Sequence, residues 1–407
     1  MTAGVAALAL SACWPAPNGH PDRTGHNPSE STLTTATVSD LAPHWDVAGG
    51  GEIIATVGAV FQNTLSSEGA PGVRRLDSAT GDVEWAVPVT PIIVPYGYTS
   101  HLSYVDGEIV VPYTNPVPPR SPSGGVVTLN PVDGATTSTV SLSAGSHTVR
   151  GGRQLTTVRG SFLLGGTPSE VFTVWDRVNR TIVTNGYAEQ TIDANDAFEY
   201  TLGETVVLIS ASGVDQPDGT VGGELRSMPI AGAGPAWTAP LPESTPTAAV
   251  INGSAGLLHV GTAEGQVVTV DAATGAVLWS ADVGGAVTQL PALADGNLYV
   301  STGAGEMVVF DADGCGAATC TPSWRATLAG AGPTQPAVGG SGASAVVYVA
   351  MAGGGLAAFP AAGCGAATCE PLWTGSVNGA IVHGPIVSGG QVLVSTDAGR
   401  LVAFGLP

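Results

Sequence analysis

The chain has 407 residues and a formal net charge of −20, and all 12 of its basic residues are arginines. Binding of a polyanion requires a stripe of basic side chains, so this composition excludes nucleic acid and anionic lipid surfaces as partners. Only 11% of the residues are charged, whereas Gly (58) and Pro (30) are abundant. Together with frequent Val, Ala and Leu, this composition favours many short strands and turns over helices.

The chain opens with an apolar run of small residues, Ala3 to Ala12, followed by Cys13. The run is too short to cross a bilayer. Its end, Leu10-Ser11-Ala12-Cys13, resembles the lipobox of bacterial lipoproteins, in which the signal peptide is removed before a cysteine that becomes lipidated. The resemblance implies a signal peptide over residues 1–12, a lipid on Cys13 and a tether over 13–36. A cleaved secretory signal and an unprocessed start are the alternatives.

Tryptophans mark an internal repeat. The indoles at 237, 279, 324 and 373 follow one another after 42, 45 and 49 residues, and those at 45 and 85 are 40 residues apart. Each unit contains two apolar runs joined by a Gly-containing turn, then a tight Asp-x-x-Thr-Gly turn, then a strand with the tryptophan. A further apolar run, such as the one at 288–295, supplies a fourth strand. Four short strands at this period are the signature of a β-propeller.

The tight turns also have a direct physical explanation. They are represented by two triplets: Asp77, Thr80, Gly81 and Asp271, Thr274, Gly275. The Asp carboxylate accepts backbone N–H groups, and the Gly takes a positive φ, so the chain reverses at low cost.

The segments VDAATGAVLW (270–279) and LDSATGDVEW (76–85) resemble the repeat of PQQ-type propellers. Residues 23–45 are similar to the lead-in of the same superfamily. The resemblance implies an all-β fold with a single propeller domain over 37–407, built from eight four-stranded antiparallel blades. Seven blades are the alternative. The last unit lacks a tryptophan strand, so we expect residues 41–47 to supply it and to close the ring by pairing the N- and C-terminal strands.

In this family, tryptophans at one repeated position dock each blade on its neighbour. The resemblance therefore implies a packing role for the repeated indoles, with each indole N–H bound to a carbonyl. The docking residues are Trp45, Trp85, Trp237, Trp279, Trp324 and Trp373.

Four of the five cysteines lie in two copies of the hexapeptide CGAATC, namely Cys315 to Cys320 and Cys364 to Cys369. Asp271 to Trp279 spans eight residues, whereas the stretches from 311 to 324 and from 360 to 373 span thirteen. Each motif therefore lies in an expanded turn. Because export favours oxidation, we expect two local disulfides. A zinc site of four thiolates and redox exchange are the alternatives.

Quinoprotein dehydrogenases share this repeat and hold PQQ with calcium at the centre of an eight-bladed propeller. The chain lacks the adjacent cysteine pair that lies beside PQQ in that family, and it has no Cys-x-x-Cys-His haem site. The acids Asp106, Glu264 and Asp295 form no clustered ligand pattern. We therefore predict no cofactor, no metal and no catalytic site, with a PQQ- and calcium-dependent dehydrogenase as the alternative.

With the lipobox, the repeat resembles the propeller lipoproteins of the outer-membrane β-barrel assembly machinery. This resemblance implies a non-catalytic, monomeric scaffold, held by the lipid on Cys13 to the outer face of the cytoplasmic membrane. Its partner would be an envelope or cell-surface protein or a ligand. Insertions at 112–122 and 211–223 separate strands of two units and are candidate partner-binding loops.

Overall fold

A computed structural model gives the fold of the chain. It describes residues 14–16, 19, 23–64, 71–89, 98–99, 102–115, 123–142, 148–151, 155–164, 167–176, 181–188, 197–202, 205–215, 221–231, 237–241, 246–253 and 255–407. The predicted signal peptide and Cys13 lie outside the described residues, as do parts of the two predicted insertions.

The described residues form 34 strands and three short 3-10 turns, and no α-helix. The strands are β1 (His26–Asn27), β2 (Ala42–Ala48), β3 (Ile53–Thr56), β4 (Ala59–Thr64), β5 (Gly72–Asp77), β6 (Val83–Pro88), β7 (Tyr98–Thr99), β8 (Ser103–Val105), β9 (Glu108–Asn115), β10 (Ser123–Leu129), β11 (Thr136–Leu142), β12 (Thr148–Gly151), β13 (Leu155–Leu164), β14 (Thr167–Asp176), β15 (Thr181–Ala188), β16 (Ala197–Leu202), β17 (Thr205–Asp215), β18 (Val221–Ala231), β19 (Trp237–Leu241), β20 (Pro246–Asn252), β21 (Leu257–Thr262), β22 (Gln266–Asp271), β23 (Val277–Asp282), β24 (Ala292–Ala294), β25 (Asn297–Ser301), β26 (Glu306–Asp311), β27 (Trp324–Thr327), β28 (Ala337–Gly339), β29 (Val346–Met351), β30 (Gly355–Pro360), β31 (Trp373–Ser376), β32 (Ile381–Ser388), β33 (Gln391–Thr396) and β34 (Arg400–Gly405). The 3-10 turns are Val38–Asp40, Gly342–Ser344 and Ala352–Gly354.

These strands form eight sheets in the described part of the chain. In chain order they are sheet 1 (β3–β6), sheet 2 (β7–β11), sheet 3 (β12–β15), sheet 4 (β16–β19), sheet 5 (β20–β23), sheet 6 (β24–β27), sheet 7 (β28–β31, with β1 added parallel to β28) and sheet 8 (β32–β34 with β2). Apart from β1, all strands pair antiparallel as meanders, and in sheet 2 both β7 and β8 pair with β9. Each structural sheet begins one strand before the repeat seen in the sequence, because the run at 288–295 gives β24, the first strand of the next sheet.

Each meander has two ends, which define two faces of the molecule. We call the end with the first-to-second and third-to-fourth turns the lower face, and the end with the second-to-third turns the upper face. On the lower face of sheet 5, the Ala272 N–H donates to the Gly256 carbonyl at 2.8 Å. On its upper face, the Val283 N–H donates to the Gly265 carbonyl at 2.9 Å. Sheet 6 repeats both bonds, so the two faces keep the same sense from sheet to sheet.

The hydrophobic core lies between successive sheets. On β25, Leu298 and Val300 pack with residues of sheet 5, whereas Tyr299 packs with residues of sheet 7. Side chains alternate along a strand, so a strand buried on both sides needs a continuous apolar run. This is the physical reason for sequences such as VVF in β26. The first strands of sheets 5, 6, 7, 8 and 1 contact one another in that order.

The two ends of the chain share one sheet. β2 pairs antiparallel with β34, and Trp45 lies opposite Ala403. Trp45 thereby takes the place on the fourth strand of sheet 8 that Trp279 has in sheet 5 and Trp324 has in sheet 6. The N-terminal strand therefore supplies the fourth strand of the C-terminal sheet.

No helix in the described residues has the length and apolar character needed to span a membrane.

Candidate interaction site

In the described part of the chain, six tryptophans dock their own sheet on the next sheet at the lower face. An added Cβ on Gly275 would lie 2.5 Å from Cε3 of Trp237, and one on Gly81 would lie 2.8 Å from Cδ2 of Trp45. Both glycines have φ near +75°. The Asp-x-x-Thr-Gly turn therefore requires glycine for two reasons: the backbone has a positive φ, and the indole approaches too closely for a Cβ atom.

The aspartate and threonine of these turns hold the loop in shape. Oδ1 of Asp271 accepts the N–H of Ala273 at 3.0 Å, and the N–H and the hydroxyl of Thr274 at 2.8 Å each. The hydroxyl bond from Thr274 is the main cause that lowers the pKa of Asp271. Asp77 makes the same three bonds with Ala79 and Thr80. Both triplets are thus self-contained turns that present a backbone carbonyl to the neighbouring indole.

Four of the six indoles donate a hydrogen bond to a backbone carbonyl of the next sheet. Trp45 Nε1 donates to Ser78, Trp237 Nε1 to Ala272 and Trp373 Nε1 to Leu41, all at 2.9 Å, and Trp85 Nε1 donates to Pro131 at 3.2 Å. Trp279 and Trp324 are buried, yet their Nε1 atoms have no hydrogen-bond partner. Like Trp45 and Trp237, these two indoles pack on glycines, here Gly314 and Gly363, which precede the CGAATC motifs.

This difference predicts unequal costs for one substitution. Trp237→Phe removes a hydrogen bond and leaves the Ala272 carbonyl without its donor, whereas Trp279→Phe removes no hydrogen bond. We expect Trp237→Phe to lower the free energy of unfolding by about 1 kcal/mol more than Trp279→Phe does. Denaturant titration of both variants measures the difference. Equal costs, or a larger cost for Trp279→Phe, would show that the indole bond contributes nothing to docking.

The two CGAATC motifs form compact loops on the lower face. Cys315 is bonded to Cys320 and Cys364 to Cys369, with Cα–Cα separations of 5.6 and 5.7 Å. In each pair the first cysteine is exposed and the second is buried. We call residues 315–320 and 364–369 cysteine loops 1 and 2.

Each cysteine loop also bonds to the outer strand of the preceding sheet. In loop 1, the Ala318 carbonyl accepts the Ser280 N–H of β23 and the Cys320 N–H donates to the Ser280 carbonyl, both at 2.9 Å. Loop 2 makes the same pair of bonds with Arg325 of β27, at 2.9 and 2.8 Å. Each loop therefore forms a single parallel β-bridge with the edge of β23 or β27. They join sheet 5 to sheet 6 and sheet 6 to sheet 7, so their role extends beyond the local staple that the sequence predicts.

His259 is a buried titratable residue beside this junction. Its side chain is fully buried, its Nδ1 lies 2.8 Å from the Thr269 hydroxyl, and its ring lies 6.1 Å from that of Trp279. Burial lowers the pKa of His259 to about 4. The residue is therefore neutral in the folded protein at neutral pH, as a structural histidine is.

The lowered pKa predicts an acid-sensitive stability. His259 binds a proton near pH 6.5 in the unfolded chain but only near pH 4 in the folded chain. The free energy of unfolding therefore decreases as the pH falls from 6.5 to 4. The loss attributable to His259 approaches about 3 kcal/mol at pH 4. We expect His259→Tyr to flatten the fall of stability between pH 6.5 and 4. Tyrosine occupies the same repeat position at Tyr299 and Tyr348. The free energy of unfolding is measured by denaturation at each pH. If its slope against pH is the same in the variant as in the wild type, His259 does not cause the acid sensitivity.

The described residues of the N-terminal segment, 14–16, 19 and 23–36, contact the first strands of several sheets. β1 pairs parallel with β28, and the Gly25 carbonyl accepts the Val338 N–H at 2.7 Å. The Thr24 carbonyl accepts the N–H of Leu293 in β24, also at 2.7 Å. Residues 24–27 thus bridge the first strands of sheets 6 and 7.

Trp14 makes the corresponding contact on sheets 1 and 2. It exchanges two backbone hydrogen bonds with Ala55 of β3, at 2.8 and 2.9 Å, in an antiparallel bridge. The Pro15 carbonyl accepts the Tyr104 N–H of β8 at 2.6 Å. The Trp14 side chain is only 2% exposed and belongs to the largest core cluster. The residue that follows Cys13 is therefore part of the folded body.

Glu30 fixes the segment where it reaches the lower face. Its carboxylate accepts the N–H groups of Thr32, Leu33 and Gly390 at 2.8 to 3.1 Å. Burial, and to a lesser extent the charge of Glu30, raises the pKa of Tyr348. Nearby, the Asn27 side chain donates to the Val387 carbonyl at 2.9 Å. The described residues from 23 to 36, within the stretch predicted as a tether, are therefore packed because buried polar side chains bind them to sheets 7 and 8.

Sequence reasoning overlooked Trp14, Asn27 and Glu30. The stretch from 14 to 36 has no apolar periodicity, since its contacts are backbone bonds and single polar side chains, which leave no repeating pattern. The similarity of residues 23–45 to the lead-in of PQQ-type propellers was the available signal.

The three acids considered as metal ligands lie apart in different turns: Asp106 and Asp295 take positive φ on the lower face, and Glu264 lies on the upper face. In the described part of the chain, no three His, Cys, Asp or Glu side chains converge as metal ligands.

Part of the chain matches a known protein family by sequence. Residues 210–363 match the family described as outer membrane protein assembly factor BamB. This segment runs from β17 in sheet 4 to Gly363, the residue before cysteine loop 2, and it includes all of sheets 5 and 6. No curated protein matches the chain significantly by sequence.

Solved structures resemble nearly the whole chain at low identity. BamB from Moraxella catarrhalis is 15% identical with a TM-score of 0.55, over 90% of this chain and 99% of BamB. A europium-containing methanol dehydrogenase is 11% identical with a TM-score of 0.60, over 97% and 89% of the two chains. The WD40 domain of Sif2 is 10% identical with a TM-score of 0.62, over 90% and 98%. At such identities the likeness concerns the fold. The meander sheets and these neighbours show a propeller-like fold, and residues 210–363 carry the match to the PQQ-like repeat family.

Proposed function

We propose that this protein is an exported, lipid-anchored β-propeller that binds another protein of the cell envelope and catalyses no reaction. The eight successive sheets, and the pairing of β2 with β34, support an eight-bladed ring closed by its two chain ends. The scaffold role is supported by the match of residues 210–363 to a family described as an assembly factor. The ring is a monomer, and Cys13 carries its lipid on the outer face of the cytoplasmic membrane.

The position of the N-terminal segment carries the non-catalytic part of the proposal. In a ring of this type the first strands surround the axis, and quinoproteins hold PQQ and its metal there. In this chain the same strands are bridged by Trp14 and Pro15 on one side and by residues 24–27 on the other. The chain's own backbone is bound to the strands that would surround the cofactor, which supports the proposal that no PQQ binds there. A partner then binds to the outer surfaces of the ring.

An enzyme assay tests the absence of catalysis. Purified protein is incubated with PQQ and Ca²⁺, and dye-linked oxidation of alcohols and sugars is measured. We expect no turnover above the blank without protein. Turnover that depends on the protein, and that is lost when PQQ is omitted, would replace the scaffold by a quinoprotein dehydrogenase.

The anchor and the partner are tested on intact cells. Intact-mass analysis of the membrane-extracted protein is expected to show a diacylglyceryl group on Cys13 and no residues before it, and a Cys13→Ser variant is expected to leave the membrane fraction. Crosslinking on cells, followed by identification of the captured protein, is expected to yield a specific envelope protein. A soluble, unlipidated wild-type protein would refute the anchor. Crosslinked products that are the same for an unrelated propeller would refute a specific partner.

A further inference from the structure

The lower face of the propeller has a fixed relation to the residue that carries the anchor. Trp14 is buried and is held to Ala55 by two backbone hydrogen bonds, so its position in the fold is set. Cys13 is its chain neighbour, and consecutive Cα atoms are only about 3.8 Å apart. A lipid on Cys13 is therefore attached to the folded body with almost no intervening chain.

The direction of the chain indicates the face from which the anchor leaves. β3 runs from Ile53 toward the lower-face turn at Val57–Gly58. The Trp14 bridge is antiparallel, so the backbone direction from Pro15 to Trp14 points toward Thr56 and that turn. The side chain of Val57, at the tip of the turn, is 54% exposed and adds an apolar group at this exit.

We propose, on the basis of the lipid anchor in the proposed function, that the lower face lies directly against the phospholipid membrane and that the upper face is the one open to protein partners. The N-terminal segment acts as an orienting mount instead of a loose tether. Its two bridges fix the ring at sheets 1 and 2 and again at sheets 6 and 7. Rotation of the ring about the anchor is restricted because Trp14 cannot leave its site without breaking both bonds to Ala55.

Charge determines the kind of contact. The described turns of the lower face contain carboxylates, among them Asp82, Asp133 and Asp313, and the chain as a whole has a net charge of −20. Anionic headgroups repel such a protein, so the acyl chains of the anchor provide the attraction. We therefore expect the lipidated protein to bind vesicles of neutral phosphatidylcholine at least as well as vesicles that contain an anionic phospholipid.

Two alanines of sheet 7 provide a matched pair of probe sites. Ala343 is exposed in the lower-face turn, and Ala352 is exposed in the upper-face turn. They are separated by β29, whose six residues span about 20 Å. The four cysteines of the loops are in disulfides and Cys13 is blocked by its lipid, so Ala343→Cys or Ala352→Cys adds a single reactive thiol.

The experiment uses the full lipidated chain in phosphatidylcholine vesicles, with a fluorophore on each added thiol and a nitroxide quencher on the lipid headgroup. Because the two sites are about 20 Å apart along the membrane normal, we expect quenching at Ala343→Cys to exceed that at Ala352→Cys at least about threefold. A 16-residue Gly/Ser linker between Cys13 and Trp14 has a root-mean-square length of about 22 Å and is expected to abolish the difference.

Each result decides the proposal. Equal quenching at the two sites in the protein without the linker, or stronger quenching at Ala352→Cys, would overturn the assigned orientation. A difference that survives the linker would show that the face itself, and not the mount at Trp14, binds the membrane. Stronger binding to anionic vesicles would contradict the charge argument. Absence of a lipid on Cys13 by mass analysis would instead refute the proposed function, so the two failures are distinguishable.

Discussion

Gly275→Ala is expected to lower the free energy of unfolding by about 2 to 4 kcal/mol, although it adds only one methyl group. Two costs combine at this position. Alanine is strained at the φ of +75° that Gly275 adopts, and its Cβ would lie 2.5 Å from the Trp237 ring. The indole must move, which weakens both its packing and its bond to the Ala272 carbonyl. Denaturant unfolding, followed by tryptophan fluorescence and circular dichroism, measures the loss.

Gly256→Ala separates the two costs. Gly256 has a similar φ of +67°, but a Cβ added there meets no atom within 4 Å. This variant is expected to lose only the backbone term of about 1 to 2 kcal/mol. The difference between the variants then reports the tryptophan docking alone. If both variants lose the same free energy, the close approach of Trp237 does not contribute to stability.

Replacement of all four loop cysteines by serine is the second large effect. Each disulfide closes a six-residue ring and contributes about 2 kcal/mol in the loop-entropy description. The loops also hold Ser280 of β23 and Arg325 of β27 by backbone bonds, so their loosening weakens the contacts of sheets 5, 6 and 7. We expect a total loss of about 4 kcal/mol and faster hydrogen exchange of the Ser280 and Arg325 amides.

A dithiol reductant provides the control for this substitution. It converts each disulfide to two thiols while its own thiols become a cyclic disulfide, so it should destabilise the wild-type protein and leave the serine variant unchanged. The amide of Val267, which pairs within sheet 5, should speed up less than the amides of Ser280 and Arg325 in both cases. Unchanged exchange at Ser280 after reduction would show that the loops stay in place without their disulfides, and would limit the role of the disulfides to the loops themselves.

The cysteine loops and the indole bonds are two solutions to the same packing problem. At Trp45, Trp85 and Trp237 an indole N–H joins one sheet to the turn of the next. At Trp279 and Trp324 the turn is five residues longer, and backbone bonds from the added loop replace the indole bond. The longer loop also buries these indoles more completely, since Trp279 is 2% and Trp324 is 4% exposed. The duplicated CGAATC motif is therefore part of the junction between sheets.

Much of the fold could be predicted because its determinants are local and repeated. Asp271, Thr274 and Gly275 form a turn from their own side chains and backbone, so the same letters give the same turn wherever they recur. The strands are continuously apolar because both of their sides face another sheet. The pairing of Trp45 with the C-terminal strand followed from a missing tryptophan strand in the last unit.

The candidate site could be predicted only in part, for a physical reason. Trp14, Thr24 and Gly25 make these contacts with backbone groups, which every residue possesses. No residue pattern therefore predicts them. Glu30 binds three N–H groups from two distant parts of the chain, and only the folded structure brings Gly390 to it.

The sequence by itself determined the repeat, the strand-rich class, the tight turns and the pairing partners of the four loop cysteines, because each depends on residues close together in the chain. Only the tertiary structure decided that Trp14 and residues 24–27 bridge the first strands, that the cysteine loops join neighbouring sheets, and that two indoles lack a carbonyl partner. These features depend on backbone groups and on distances between sheets, which are fixed when the whole chain packs and are not encoded at any single position.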